Sequence, residues 1–314
     1  MSILNNTRVA VRVCQLFYLE NKSQKQISDD LGISRPQISR ILATARKENL
    51  VNIKINDPFA RESVLQEQIR RRYPVREALV FDTSISADRL VEFGRMAAQC
   101  LEMFISDGNT VGMMSGRTVF ATVSAVGALY CRRLRFVPLV GGLGPLNADW
   151  HANAIALQLA QKSGGVSYVL NAPIFVSDAK SRDVFINDPD IVSVLQSGAK
   201  CDVAFVGVGD ICKDSTTIRA GGYHPQDIAQ LQKSGAVASV CCSYLDAGGR
   251  VLDTCVSDRS IGVSLPDLAG SKVVALAIGR QKLQALHSVL SSGYIHAVMT
   301  DFETAQGLLA LKEK

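Results

Sequence analysis

The tetrapeptide Ser115-Gly116-Arg117-Thr118 brings together two hydroxyls, a glycine that lets another group approach the backbone, and a fixed cation. It follows the apolar run VGMM and precedes a helical stretch, so free amides at a helix start would add to the set. That combination suits a phosphate or another compact anion. Three more segments end apolar runs in a similar way. PLVGGLG supplies Gly141, Gly142 and Gly144; FVGVGD supplies Gly207, Gly209 and Asp210; IGRQK places Lys282 in the first turn of a following helix. Glycine after a strand is usually only a turn, but four such endings in one sheet point to an anion site.

A different chemistry is written in QKQISDDLGISRPQISRIL, residues 24–42. Ile27 and Leu31 share one helical face, Gly32 permits a sharp turn, and Ser34 with Gln37 forms a capping box for a second helix. Ser23 and Gln26 repeat that box at the start of the first helix. Ile38, Ile41 and Leu42 return the second helix to the core. Its other face carries Ser34, Arg35, Gln37, Ser39 and Arg40, donor-rich side chains of the kind that read base edges and phosphates in a major groove. Lys25 and Arg46 are placed to meet phosphates. Residues 1–56 hold nine Lys or Arg against four Asp or Glu, so the whole formal net charge of +5 lies there. Double-stranded operator DNA is the partner expected for such a segment.

Two kinds of element must hold these groups. Val9, Val13, Leu16 and Phe17 predict a supporting helix before residue 24, and the alternation in LVNIKI, residues 50–55, predicts a short wing strand. Asn56-Asp57-Pro58 reads as a turn that ends the domain. Over 60–73, Leu65, Ile69 and Tyr73 recur on an otherwise charged helix, either a linker pairing with its twin or a helix packed on its own second domain. The run Arg70-Arg71-Arg72 reads as a solvated face. From residue 77, buried strands are expected at 78–81, 110–114, 135–140, 167–170, 203–208, 273–278 and 297–299. Helices are expected between most of them, at 87–105, 119–131, 152–161 and 281–290. Apolar strands joined by helices predict a mostly parallel, doubly wound α/β sheet covered on both faces. The expected domains are 1–56 for DNA binding, 57–76 as a linker helix and 77–314 for effector binding and oligomerisation.

Several classes of function are not supported. The eight cysteines form no C-x-x-C pair, and the four histidines are scattered, so free thiols are expected and no metal site. No long apolar run and no leader pattern occur, so the expectation is a cytoplasmic chain without membrane contact. The nucleotide P-loop, the dinucleotide glycine fingerprint and the nucleophile elbow are all absent. No cofactor and no catalytic set is expected.

With both halves in view, the chain resembles the SorC family of bacterial transcription regulators along nearly its whole length. The N-terminal motif is SRPQISRIL, residues 34–42. SGRT (115–118), VGGLG (140–144), NAPIFV (171–176), VGVGD (206–210), TIRAGGY (217–223) and TDFETA (300–305) follow in the family's order. The family's C-terminal domain is similar to sugar-phosphate isomerases and deaminases of the glucosamine-phosphate type. The resemblance implies a sensor that binds a phosphorylated sugar or polyol and tunes DNA binding by a tetramer. It implies contacts from Ser115, Gly116, Arg117, Thr118, Gly141, Gly142, Gly144 and Lys282. Where the family often has two adjacent glycines before the lysine-bearing helix, this chain has Ile278-Gly279, so the pocket near Lys282 should differ in shape. Trp150 and His151 either line the ligand site or support it. A ligand-responsive regulator, dimeric or tetrameric, is the expected function. An isomerase- or deaminase-type enzyme with a DNA-binding appendage is the alternative; Asp149, Asp210 and Asp301 form no evident acid–base pair.

Overall fold

The computed structural model describes residues 7–54, 56, 58–144, 149–212, 223 and 225–311. The chain divides into two compact units, Met1–Pro58 and Phe59–Lys314.

In the first unit, α1 (Thr7–Cys14) runs into a π-helical turn at Gln15–Leu19, followed by α2 (Gln24–Leu31) and α3 (Arg35–Lys47). Both capping boxes form. Ser23 N–H donates to Gln26 Oε1 at 2.9 Å, and the Ser34 hydroxyl donates to Gln37 Oε1 at 2.9 Å. Gly32 closes α2 in the left-handed region at φ 65°. Val13, Leu16, Ile27, Ile38, Ile41 and Leu42 form the core of this unit. The wing strand expected at 50–55 does not form over the described residues 50–54. Leu50 and Val51 instead donate to the Ala45 carbonyl at 2.8 and 3.2 Å. Alternating side chains make a strand only where a second strand completes the ladder, and none is described here.

The second unit begins with α4 (Ala60–Arg72) and is built on a seven-stranded, wholly parallel sheet. Its strands are β1 (Glu77–Phe81), β2 (Thr110–Met113), β3 (Arg135–Pro138), β4 (Val166–Ser167), β5 (Val203–Gly207), β10 (Lys272–Leu276) and β11 (Ala297–Asp301). They lie in the order β1-β11-β10-β5-β2-β3-β4. Successive side chains point to opposite faces, which splits each central strand between two cores. Val203 and Phe205 join Phe93, Val119 and Ile155 on one face, whereas Ala204 and Val206 join Leu65, Ile69 and Leu286 on the other. The connecting helices are α5 (Arg89–Ala98), α6 (Arg117–Ala125), α7 (Ala152–Ser163), α8 (Ala179–Ile186), α9 (Pro189–Ala199), α10 (Pro225–Lys233), α11 (Leu283–Ser291) and α12 (Phe302–Ala310).

Three features depart from the sequence expectation. A second, antiparallel sheet of β6 (Gly209–Asp210), β7 (Ala238–Val240), β8 (Ser243–Leu245) and β9 (Val251–Leu252) follows β5. The strand expected at 167–170 shrinks to two residues at the sheet edge. The helix expected at 119–131 ends at Ala125, where the Lys162 ammonium donates to the carbonyls of Val123, Ser124 and Val126. For α4 the sequence left two placements open, and Leu65, Ile69 and Tyr73 lie in the core of the second unit. An apolar stripe on a charged helix is equally suited to a twin helix or to a sheet, and here the sheet takes it.

Candidate functional site

In the first unit, α3 buries Ile38, Ile41, Leu42 and Ala45 and exposes Ser34, Arg35, Gln37, Ser39, Arg40 and Arg46. Lys25 is exposed on α2. Gln37 is partly committed, because its oxygen accepts from both the amide and the hydroxyl of Ser34. Its NH2 group is what remains for another partner. The exposed side of α3 therefore presents three guanidinium groups, the Ser39 hydroxyl and an amide donor.

In the second unit, the chain leaves β2 toward β3 on one side of the sheet, while β5 and β10 lie on the other. Ligands in doubly wound sheets sit at such a reversal, outside the carboxyl ends of the strands. A cavity of about 490 Å³ opens there. Ser115, Gly116, Arg117 and Thr118 line it after β2, Gly207 and Gly209 after β5, and Ile278, Gly279, Gln281 and Lys282 after β10. Asp301 closes it at the end of β11, and Asp88 and Arg89 at the start of α5.

The start of α6 stands out among these walls. Asp88 caps α5 by accepting from Leu90 and Val91, and Asp301 caps α12 by accepting from Thr304 at 2.9 Å. No side chain caps α6; its N-cap is Gly116, at φ 145° and ψ 149°. The Gly116 amide is held by the Trp150 carbonyl at 2.9 Å, which fixes the loop. Arg117 is exposed and makes no ion pair among the described residues. An uncapped helix start beside an unneutralised guanidinium is an electropositive wall.

Lys282 is already engaged. Its ammonium is bonded to Asp210, and the two side chains are only 20% and 12% exposed. Burial by itself would raise the Asp210 carboxyl, but Cys212 and Lys282 together hold it below the ordinary carboxylate value. Asp210 does not line the cavity; it sets the position and charge of the lysine that does.

The other glycines are placed differently from the expectation. Gly141 N–H donates to the Ile261 carbonyl at 3.1 Å and Gly142 N–H to the Ala172 carbonyl at 2.8 Å. A methyl group on Gly141 would lie 2.6 Å from the backbone of Ala172 and Pro173. Gly141 admits the chain of the NAPIFV segment across the end of β3, and Gly142 forms a bridge to Pro173; neither lines the large cavity. Gly144 does not line the cavity either. Trp150 and His151 act from behind. Burial lowers the His151 imidazole below its usual value, against a hydrogen bond to Leu143 that raises it. Residues 217–222 of the TIRAGGY motif lie outside the described residues.

Asp88, Arg89, Ser239, Gln281 and Asp301 line the cavity but were not expected in the effector set. Asp88 and Asp301 had a readable signal: Asp301 closely follows the apolar run at 297–299, and Asp88 stands directly before the helical run RLVEF. Ser239 had none, because β7 belongs to the unanticipated sheet. Among the described residues, no group of three or more His, Cys, Asp or Glu could hold a metal, and no helix is long and apolar enough to cross a membrane.

The Sugar-bind family, a sugar-binding domain, matches residues 57–310. The deoxyribonucleoside regulator of Bacillus subtilis is 26% identical over 305 residues, covering 96% of this chain and 97% of that protein. The sorbitol operon regulator of Klebsiella pneumoniae is 25% identical over 315 residues, covering 97% and 98%. The crystal structure of that full-length regulator, SorC, superimposes with a TM-score of 0.75 over 97% of this chain and 99% of the other. These similar proteins are transcriptional regulators and not enzymes. Matched over residues 57–310 and built on the same fold, the chain belongs to the sugar-binding domain family, and its relatives are regulators of the SorC type.

Proposed function

We propose that this protein is a DNA-binding transcriptional regulator whose second unit senses a phosphorylated sugar or polyol. The observation that carries the effector class is the uncapped start of α6 at the wall of a 490 Å³ cavity, with Arg117 beside it. The phosphate lies against Ser115, Gly116 and Thr118, where it receives first-turn amides, hydroxyls and the Arg117 charge. Lys282, oriented by Asp210, and Gly207 and Gly209 meet the rest of the molecule. Arg35, Gln37, Ser39 and Arg40 face the major groove of the operator, and Lys25, Ser34 and Arg46 meet phosphates. Two half-sites about 34 Å apart require at least a dimer, and a tetramer satisfies the same geometry.

The test is calorimetry with a panel of phosphorylated compounds: deoxyribose 5-phosphate, sorbitol 6-phosphate, erythritol 4-phosphate and further aldose and ketose phosphates. Each is measured beside its unphosphorylated parent. An operator recovered from random DNA by selection is titrated with and without each compound. One phosphorylated member should bind, its parent should not, and operator affinity should change. Equal binding of phosphate and parent refutes the phosphate assignment. No sequence-selective DNA binding refutes the regulator.

A further inference from the structure

Arg89 lines two cavities of the second unit. On one side is the large cavity at the strand ends. On the other is a smaller one of about 230 Å³ that contains Arg61, Asp82, Phe302 and Glu303. The Arg89 guanidinium is bonded to the Glu303 carboxylate. Arg280 lies 3.7 Å from the other Glu303 oxygen. Next to Glu303 in sequence, the Phe302 ring carries the Arg61 guanidinium 4.8 Å from its centroid. Arg61 is in the first turn of α4, three residues after Pro58, where the chain passes from the first unit into the second.

The far end of α4 is firmly fixed. Arg72 donates to the carbonyls of Leu308 and Leu309 at 3.1 and 2.7 Å and to that of Leu311. Tyr73 hydroxyl and His287 Nδ1 are 2.8 Å apart. Near its start, α4 rests on the Arg61–Phe302 contact at the protein surface.

We propose that Arg89 and Glu303 form an ion-pair latch through which an anion in the large cavity acts on the start of α4. This rests on the effector reading above. An anion entering the cavity competes with Glu303 for Arg89. The Arg89 and Glu303 side chains are 53% and 42% exposed, so water screens the pair and it exchanges readily. Once released, the Glu303 carboxylate is left among Arg280 and Arg61. Arg61 already feels the Asp82 carboxylate in the small cavity that Glu303 also lines, and a second free carboxylate there draws it off Phe302. Phe302 itself cannot follow, because Asp301 and Thr304 anchor the start of α12. The first turn of α4 loses that contact, and the turn is continuous in sequence with the DNA-binding unit. Two states of one element, each favoured by different contacts, are what coupling between two sites requires.

The test uses full-length Arg89→Gln without any added anion. The substitution removes the charge that holds Glu303 and leaves that carboxylate free to draw Arg61. Amide exchange over residues 59–66 should rise at least fivefold. Affinity for the selected operator should shift at least fivefold, in the direction that 20 mM inorganic phosphate at constant ionic strength shifts the parent. Arg61→Gln should give the same loosening. If both variants melt like the parent and also exchange and bind operator like it, the latch is refuted. If the parent takes up neither phosphate nor any member of the panel, the effector reading fails. The latch is then still decided by the anion-free comparison of the parent with Arg89→Gln.

Discussion

Replacing Gly116 with alanine adds one methyl group to the residue that precedes α6. Nothing lies within 4 Å of that methyl, so the substitution meets no steric obstacle from its neighbours. Its whole cost is conformational. At φ 145° and ψ 149°, Gly116 occupies a region that is essentially reserved for glycine, where another residue is strained by about 1–3 kcal/mol. The bound state needs this conformation, because it holds the first-turn amides of α6 at the cavity. The liganded protein must therefore lose about 1–3 kcal/mol of stability against unfolded chain and free ligand. The free protein has a choice. If it keeps the strained loop, it loses the same amount and ligand affinity is unchanged. If it relaxes, it keeps its stability and the dissociation constant rises by roughly five- to 150-fold. Urea unfolding with and without the phosphorylated compound that calorimetry selects measures both terms. Gly142→Ala is the companion variant, since its methyl would be 3.9 Å from its nearest neighbour, the Ala172 carbonyl, and the residue is not in the left-handed region. It should change neither quantity. A Gly116→Ala complex as stable as the parent complex refutes the phosphate seat at α6. A weakened Gly142→Ala would instead bring the β3 loop into the ligand shell.

Arg35→Ala and Arg40→Ala should each cost about 1–3 kcal/mol of operator affinity and relax one base pair of specificity. Lys25→Ala and Arg46→Ala should each flatten the salt dependence by about one counterion, and unchanged slopes in filter binding would move these residues off the phosphates. Asp210→Asn should destabilise the fold on the order of 3 kcal/mol at neutral pH, because it leaves a largely buried lysine unpaired. The Asp210 carboxyl titrates below its ordinary value in the folded chain, so its contribution is full above the unfolded pKa. It is lost as pH falls through the folded one, and the gap between parent and variant should close on acidification; a gap that widens contradicts the pairing. Ile69→Ala should cost about 2–5 kcal/mol, since this side chain is fully buried in the core of its own unit. Light scattering should find the same oligomer as in the parent, and dissociation into monomers would return α4 to the role of a pairing helix.

Much of the fold was readable because its signals are local and periodic. The two capping boxes, Gly32 and the apolar spacing of residues 27–42 defined two helices and their turn without help from the rest of the chain. The strands at 203–208, 273–278 and 297–299 were readable because a strand buried on both faces must be apolar throughout. The antiparallel sheet was not, since β6 and β9 have two residues each and no period can be read from two residues. The wing was over-read for the converse reason: LVNIKI alternates well, but alternation does not supply a pairing partner.

The candidate cavity divides along the same line. Ser115, Gly116, Arg117, Thr118 and Lys282 were legible because each follows a strong apolar run, and in a parallel sheet every such end faces the same side. Which ends share one cavity is a matter of strand order, and residue types carry no record of it. Adjacent strands β2 and β5 are separated by about ninety residues of sequence, yet their ends form the cavity, while β3, the next strand after β2, turns its glycines to the NAPIFV segment. The Lys282–Asp210 pair and the double exposure of Arg89 arise in the same way, from long-range packing. Local propensity and periodicity, which depend on neighbours within a turn or two, determined the helix-turn-helix, the strands and the phosphate-suited loop. Tertiary packing decided which of those loops meet, which glycines serve the backbone, and which cations are already neutralised, because charge and proximity act through space and not along the chain.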